Sequence, residues 1–164
     1  MLAAQVLGKA AMLDGRNVLQ TQAYGAEARG SMTKSEVIIS EERIGFPAAR
    51  RIDVLVAMSQ EATDELVKDL KETGTLIVDS SSVKDVPPTR AAVWRLPMTD
   101  IARTTFGDGL YGNMVMLGVL VKKTGVVSEE SMEEAIEEAT AKRNAEVNLG
   151  AFRRGLQLEP MKVK

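Results

Sequence analysis

The stretch Ile52-Asp53-Val54-Leu55-Val56-Ala57-Met58, followed later by Thr75-Leu76-Ile77-Val78-Asp79, decides the fold of this chain. Both runs are apolar without alternation, which is typical of strands that are covered on both faces of a sheet. Between them, Ser59 can cap a helix over Gln60–Lys71 with apolar residues at helical steps, and Gly74 would end that helix region. A strand, a helix and a strand within about thirty residues form a βαβ unit with parallel strands and a right-handed crossover.

The flanking segments extend this unit into a larger α/β pattern. We predict, in order, a helix over Leu2–Leu13 stopped by Gly15, strands over Asn17–Thr21 and Glu36–Ser40, a strand over Ala92–Leu96, a short helix over Thr99–Thr105, an almost wholly apolar helix over Asn113–Lys123, a helix capped by Ser128, a helix over Ala145–Gly155 and an extended tail. The predicted fold is therefore α/β, Rossmann-like and doubly wound. We expect one domain over residues 1–164, with a mostly parallel sheet, helices on both faces and a helical C-terminal third. Doubly wound folds open with a strand and a Gly-rich turn. This sequence opens in a helix, so we expect that first strand and turn to be missing.

Composition excludes several kinds of site. None of the 164 residues is His or Cys, which excludes a Cys nucleophile, a His general base, a Cys-ligated iron–sulfur cluster and the usual zinc sites. Without cysteine there is no disulfide framework, and we expect a cytoplasmic protein. The formal net charge of −2 does not suggest the clustered basic face that nucleic acid requires. No apolar run reaches the roughly 20 residues of a membrane span.

The candidate functional segment is Ala23-Tyr24-Gly25-Ala26-Glu27-Ala28-Arg29-Gly30-Ser31, between the first two predicted strands. Its glycines permit backbone conformations that a side chain would forbid. Arg29 offers a planar fork of donors that suits a carboxylate or a phosphate. A loop of this composition makes a good contact surface, and the plainer interpretation is a solvated surface hairpin.

This order of elements, together with the loop, resembles the gamma subunit of the 2-oxoacid:ferredoxin oxidoreductases over nearly the whole chain. The most specific match is Tyr24–Ser31 with the strand Ser35–Ser40 that follows, although the family usually has Pro at Ala26 and Gly at Ser31. The supporting matches are Asp53–Ala57, Gly74–Ser80, Asn113–Gly118 and Asn148–Gly155. The loop and Asn113-Met114-Val115 look most like the 2-oxoglutarate type, and pyruvate, branched-chain 2-oxoacid and indolepyruvate types share the domain. The family also has a strand and a Gly-x-Gly-Gly-Gln-Gly turn ahead of the first helix, which this sequence lacks.

The resemblance implies a non-catalytic subunit of a multi-subunit enzyme. Such enzymes decarboxylate a 2-oxoacid oxidatively on thiamine diphosphate, pass electrons through iron–sulfur clusters to ferredoxin and form an acyl-CoA. It implies that this chain alone binds no cofactor, and that thiamine diphosphate, Mg, iron–sulfur clusters and coenzyme A are held by alpha, beta and delta-type subunits or at interfaces. The loop residues would then form a subunit interface or a coenzyme A-side element: Tyr24, Gly25, Glu27, Arg29, Gly30 and Ser31.

Several residues keep alternative interpretations. Arg29 could contact a partner subunit or the phosphates of coenzyme A, pair internally with Glu27 or Glu36, or be solvated. Asp79 is expected to cap the turn that follows it rather than to hold a ribose, since no Gly-x-Gly-x-x-Gly turn follows a strand of the βαβ unit.

The resemblance also marks residues in the C-terminal half. Asn113 and Asn148 are assigned as helix-cap and family-motif residues, with Asn113 as the cap of the apolar helix. We expect Met114 and Met116 in the core or at a subunit contact, and the glutamates between positions 129 and 138 on a solvated face.

Two other classes of function remain open at this stage. One is a stand-alone nucleotide- or coenzyme A-binding Rossmann-like module, and the other is a scaffold without an enzyme partner. The native mass separates the first from a subunit, because a complex runs far above 17.8 kDa, and co-purification separates the second.

Overall fold

The computed structural model describes residues 2–24, 33–45, 51–159 and 161–163. In chain order the elements are α1 (Leu2–Leu13), β1 (Asn17–Tyr24), β2 (Thr33–Ser40), β3 (Ile52–Ala57), α2 (Gln60–Leu66), a 3₁₀ turn (Val67–Asp69), β4 (Leu70–Asp79), β5 (Ala92–Leu96), α3 (Met98–Phe106), a 3₁₀ turn (Gly109–Tyr111), α4 (Gly112–Thr124), α5 (Glu129–Ala139), α6 (Lys142–Leu156) and β6 (Met161–Val163). The predicted α1 is confirmed at both ends, and Gly15, which has φ of 77°, follows it as expected.

The central sheet has the strand order β3-β4-β5-β6. Its first three strands are parallel, which confirms the βαβ unit and the predicted fold class. The short strand β6 pairs antiparallel with β5, so the tail is extended as expected. Ser59 caps α2, since its hydroxyl accepts a hydrogen bond from the amide of Ala62 at 3.2 Å.

Alternate side chains of this sheet enter two separate cores. On one face, Val54, Val56 and Ile77 pack with residues of α1, α3, α4, α5 and α6. On the other, Leu55 and Leu76 pack with the end of α2 and the segment that follows β4. The sheet is therefore covered by helices on both faces, which explains why its strands read as unbroken apolar runs.

The predicted helix Gln60–Lys71 is too long. The α-helix ends at Leu66, a single 3₁₀ turn follows, and β4 begins at Leu70. Gly74, predicted to end the helix region, lies inside β4 instead. Two steps along β3, from Ile52 to Val54, are opposed by five along β4, so the pairing is irregular there. A Cβ at Gly74 would lie 2.8 Å from the carbonyl oxygen of Asp53, so the close approach at this irregularity requires glycine.

The strands β1 and β2 form a separate antiparallel hairpin, in register from Asn17–Ser40 to Tyr24–Thr33. Both strands are longer than predicted, because polar residues continue the pairing beyond the apolar stretch of each. The hairpin packs against α1, and Val18 and Ile39 reach the larger core.

Helices α4 and α6 cross in backbone contact. A Cβ at Gly118 would lie 2.7 Å from the amide nitrogen of Leu156 and closer still to the carbonyl oxygen of Phe152. From the other side, a Cβ at Gly155 would lie 2.9 Å from the Cα of Gly118. The apolar helix α4 is buried from Met114 to Val121, as predicted, because it lies between the sheet and α6.

Asp14 ties the end of α1 to the start of α5. Its carboxylate accepts hydrogen bonds from the amide of Ser128 at 2.7 Å and from the hydroxyls of Ser128 and Ser131 at 2.7 and 2.6 Å. These donors, the Ser131 hydroxyl foremost, lower the pKa of Asp14 below its ordinary value. Ser128 also caps α5 as predicted, since its hydroxyl accepts from the amide of Ser131.

Candidate functional site

The predicted contact loop lies in the chain between β1 and β2. Tyr24 is the last residue of β1, and its backbone pairs with Thr33 of β2. The other assigned loop residues lie outside the described part of the chain: Gly25, Glu27, Arg29, Gly30 and Ser31. The structure therefore shows what carries this loop, and the assignment of the loop itself stays a prediction.

The face of the hairpin toward α1 changes character along its length. At the base, Val18 and Ile39 lie opposite each other and pack on the core. Nearer the loop, the same face carries Gln20 and Ser35. Their Nε2 and Oγ atoms are buried and have no hydrogen-bond partner among the described residues. Nothing in the sequence singled out these two residues, since a polar side chain within a strand is usually read as exposed.

The opposite face of the hairpin carries a small charged group. Lys34 Nζ lies 2.8 Å from Glu36 Oε1, and the hydroxyl of Thr21 donates to Glu36 Oε2 at 3.5 Å. Both charged side chains remain about one-third exposed, so this pair contributes little to stability. It does compensate the charge of Glu36 locally, next to the strand end that leads to the loop.

Asp79 lies at the carboxyl end of β4, where ligands bind in many open α/β sheets. It is fully buried. Its carboxylate accepts hydrogen bonds from the amide of Ser81 at 3.1 Å, from the amide of Thr99 at 3.3 Å and from the Thr99 hydroxyl. The prediction that Asp79 caps the Ser80–Ser82 turn is confirmed. The same carboxylate also joins β4 to the start of α3, a longer-range contact that the sequence did not reveal.

The prediction that Asn113 caps the apolar helix is wrong. Asn113 is the second residue of α4, and its Oδ1 is buried without a hydrogen-bond partner among the described residues. The cap position of α4 is Tyr111, and among the described residues no side chain caps this helix. Asp108 instead caps the 3₁₀ turn that precedes α4, since its Oδ1 accepts from the amide of Leu110 at 2.9 Å. Asn148 is not a cap either. It lies inside α6, where its side-chain nitrogen donates to the carbonyl of Asn144 at 2.7 Å.

The glutamates of α5 are not merely solvated, as the sequence suggested. Arg153 of α6 donates to both carboxylate oxygens of Glu133 at 2.7 Å, which lowers the pKa of Glu133 and raises that of Arg153. Lys9 of α1 lies 2.8 Å from Glu138, and this contact raises the pKa of Lys9. The acidic face therefore joins α5 to both of its neighbouring helices. By contrast, Met114 and Met116 are buried in the larger core, as predicted.

Among residues 2–24, 33–45, 51–159 and 161–163, no three or more acidic side chains are grouped so that they could hold a metal ion. Within those ranges, no helix combines the length and the apolar character needed to cross a membrane.

Comparisons with known proteins converge on one family. Residues 1–158 match the family model described as pyruvate ferredoxin/flavodoxin oxidoreductase. The chain is 42% identical to the 2-oxoglutarate synthase subunit KorC of Methanocaldococcus jannaschii, over 96% of this chain and 86% of that protein. It is 31% identical to the pyruvate synthase subunit PorC of Thermotoga maritima, over 94% of this chain and 83% of that protein.

A solved structure gives the same result. The gamma subunit of a keto/oxoacid ferredoxin oxidoreductase from Geobacter sulfurreducens superposes with a TM-score of 0.85 and 38% identity, covering 95% of this chain and 88% of that one. The similarity therefore extends from the helical C-terminal part to the hairpin.

Proposed function

The chain belongs to the pyruvate ferredoxin/flavodoxin oxidoreductase family, and we propose that it serves as the gamma subunit of a complex that oxidises 2-oxoglutarate. The observation that carries the choice of substrate is the 42% identity to a 2-oxoglutarate synthase subunit over 96% of the chain. Identity to the pyruvate synthase subunit is 31%. The preference for 2-oxoglutarate rests on this difference in identity.

The role of the chain in the complex is to bind partners and to support the site, with the redox chemistry in other subunits. A chain without His and Cys cannot ligate an iron–sulfur cluster in the usual way or supply an imidazole base. We assign thiamine diphosphate, Mg and the clusters to alpha, beta and delta-type subunits, and ferredoxin to the assembled enzyme. On this proposal the isolated chain is catalytically silent.

Longer relatives support a position beside other subunits. The ketoisovalerate oxidoreductase subunit VorA of Methanothermobacter marburgensis is 36% identical over 79% of this chain, yet the match covers only 27% of that protein. The same kind of domain therefore also occurs inside a longer polypeptide. This arrangement supports direct contact between this chain and other subunits, since in the longer protein the matching segment is covalently joined to the rest of the polypeptide.

The contact surface that we propose is the loop from Tyr24 to Ser31. Glu36, one of the two internal partners considered for Arg29, already has Lys34 at 2.8 Å and the Thr21 hydroxyl as a donor. This supports an external role for Arg29, toward a partner carboxylate or the phosphates of coenzyme A. A guanidinium on such a group is a charge-assisted contact worth roughly 1.5–3 kcal/mol.

The decisive experiment compares Arg29→Ala, Arg29→Lys and wild type in the free chain and in the reconstituted complex. Arg29→Ala should leave the Tm of the free chain within about two degrees, since on this proposal the guanidinium contacts a partner and not the core of the free chain. It should weaken either subunit association or the apparent affinity for coenzyme A by at least about tenfold. Arg29→Lys should not fully restore it, because an ammonium lacks the planar fork.

Two outcomes would refute parts of this assignment. Wild-type association and a wild-type coenzyme A titration for Arg29→Ala would leave the loop a solvated hairpin. Turnover by the pure chain with 2-oxoglutarate, coenzyme A, thiamine diphosphate and a viologen acceptor would refute the non-catalytic role. A native mass equal to that of a monomer in the source cell would favour the stand-alone module.

A further inference from the structure

Gly8 lies where α1 packs against the β1–β2 hairpin. It is buried, and a Cβ at this position would lie 3.4 Å from Cγ1 of Val18 and 3.8 Å from Oε1 of Gln20. One added carbon therefore makes an ordinary contact. A larger side chain would press on Val18 and Gln20, and we expect the hairpin to shift because packed interfaces leave little room for added atoms.

The contacts that hold the hairpin lie near its base. The apolar pair Val18 and Ile39 packs on the core there. Farther along the same face, Gln20 Nε2 and Ser35 Oγ are buried without a partner among the described residues. Each such atom is unfavourable to bury, and a two-stranded hairpin is itself only marginally stable in water. The orientation of the hairpin thus depends on few favourable contacts, and Gly8 lies among them.

The geometry amplifies any displacement at Gly8. The turn between α1 and β1 is fixed, because the amides of Gly15 and Arg16 each bond back to α1 at 3.0 Å. At about 3.3 Å per strand residue, Val18 and Gln20 lie roughly 10 Å from this turn, whereas Tyr24 lies about 26 Å from it. A shift of 1 Å beside Gly8 becomes a shift of about 2–3 Å at the Tyr24–Thr33 pair by the same proportion.

We infer that Gly8 is a positioning residue: its missing side chain sets where the loop end of the hairpin lies relative to the core. The inference rests on the proposed function, which assigns the contact surface to that end. A binding group displaced by 2–3 Å loses its hydrogen bonds to the partner, since an N–H···O bond requires about 2.7–3.2 Å between the heavy atoms. A larger residue at position 8 should therefore disturb the site while leaving the α4–α6 layer intact.

The test uses three variants in the reconstituted complex. Gly8→Val places two further carbons against the hairpin. The matched control is Gln5→Val, which makes the same β-branched change at an exposed position of the same helix. The compensating double variant Gly8→Val/Val18→Ala removes the Val18 methyl carbons that the new side chain meets.

Gly8→Val should raise the subunit dissociation constant or the KM for coenzyme A by about tenfold or more, since the loop end is displaced. We expect kcat at saturating coenzyme A to stay within about twofold, because no reacting group is touched. Gln5→Val should match wild type in all three quantities, and the double variant should recover most of the loss. If Gly8→Val does not fold, Gly8→Ser replaces it, with the same expected direction and a smaller effect.

The inference is overturned if Gly8→Val, or Gly8→Ser in its place, lowers only the Tm, with the dissociation constant and KM at wild-type values. It is also overturned if Val18→Ala does not compensate. Arg29→Ala distinguishes a failure of the positioning role from a failure of the proposed contact surface. If Arg29→Ala weakens binding and Gly8→Val does not, the positioning role fails alone. If neither variant has an effect, the proposed contact surface fails as well.

Discussion

Gly118→Ala probes the crossing of α4 and α6 most directly. The added methyl carbon would lie 2.7 Å from the amide nitrogen of Leu156 and 2.8 Å from the Cα of Gly155, and closer still to the carbonyl of Phe152. All three atoms belong to the backbone of α6, so no side chain can rotate away to make room. The two helices must separate.

The magnitude follows from two opposing effects. Ordinary carbon contacts need about 3.5 Å, so α6 must move by roughly 1 Å over its central turn. Overpacking of this kind costs about 1–3 kcal/mol and occasionally more, and separation of the helices adds lost contact around the fully buried Phe152. Alanine returns up to about 1 kcal/mol in helix propensity. We therefore expect a net loss of about 1–3 kcal/mol, or roughly 2–12 °C in Tm for a chain of this size.

Thermal and urea melts of the free chain measure this loss, with Gly150→Ala as the matched control. Gly150 lies in α6 too, but a Cβ there would meet only the ring of Phe106, at 3.3 Å, and a ring can shift. Gly150→Ala should leave the Tm within about two degrees of wild type, or raise it, by gaining helix propensity. Gly118→Ala combined with Gly155→Ala should cost less than the sum of the two, because either methyl alone already separates the helices. A Gly118→Ala chain that melts at the temperature of Gly150→Ala would refute the close crossing.

Three further perturbations test other parts of the structure. Asp14→Asn should lower the free energy of unfolding at neutral pH by about 1–2 kcal/mol. Because the pKa of Asp14 is lowered on folding, its contribution is complete above the unfolded value near 4 and is lost as the pH falls through the lower folded value. Urea melts between pH 2 and 7 should therefore show a smaller loss of unfolding free energy toward acid pH for Asp14→Asn than for the exposed control Asp69→Asn. Equal losses in the two variants would contradict a stabilising contact between Asp14 and the start of α5. Ser35→Ala should raise the Tm or leave it unchanged, since it removes a buried hydroxyl without a partner among the described residues, and a lower Tm in differential scanning calorimetry would show that this hydroxyl is satisfied. Leu117→Asp should abolish folding, because Leu117 is 1% exposed and an unpaired buried carboxylate is costly. Leu110→Asp, at a leucine that is 79% exposed, should give a wild-type circular dichroism melt, and two equally folded variants would contradict the placement of α4.

The sequence was most informative where the burial of an element leaves a recognisable pattern of apolar residues within it. The parallel strands β3, β4 and β5 were predictable because both faces of each strand are covered, which leaves a run of apolar residues. The helix α1 was predictable to the residue, since its apolar stripe ends at a glycine with positive φ. These signals depend only on neighbours within one element.

Features that depend on contacts between elements were not predictable. The helix after Ser59 was extended too far because Leu66 and Leu70 share a helical step, although Leu70 already pairs with Ile52 across the sheet. Asn113 has the residue type of a cap, but α4 follows directly on a 3₁₀ turn and begins at Gly112, which places Asn113 inside the helix. For the candidate site, the sequence indicated the loop, whereas Gly8, which supports the hairpin, was visible only once α1 and β1 were placed together.

The sheet divides the interior into a larger and a smaller core, and the two should differ in how readily they unfold locally. The face that carries α2 holds a small set of buried residues around Leu76 and Val78, whereas the opposite face joins helices from most of the chain. Local opening draws on the region with the fewest buried apolar contacts. Amide hydrogens of α2 should therefore exchange with solvent while those of α4, enclosed by the sheet and α6, remain protected until the whole chain unfolds. A chain built in this way can loosen on the α2 side while the helices of the opposite face stay packed on the sheet.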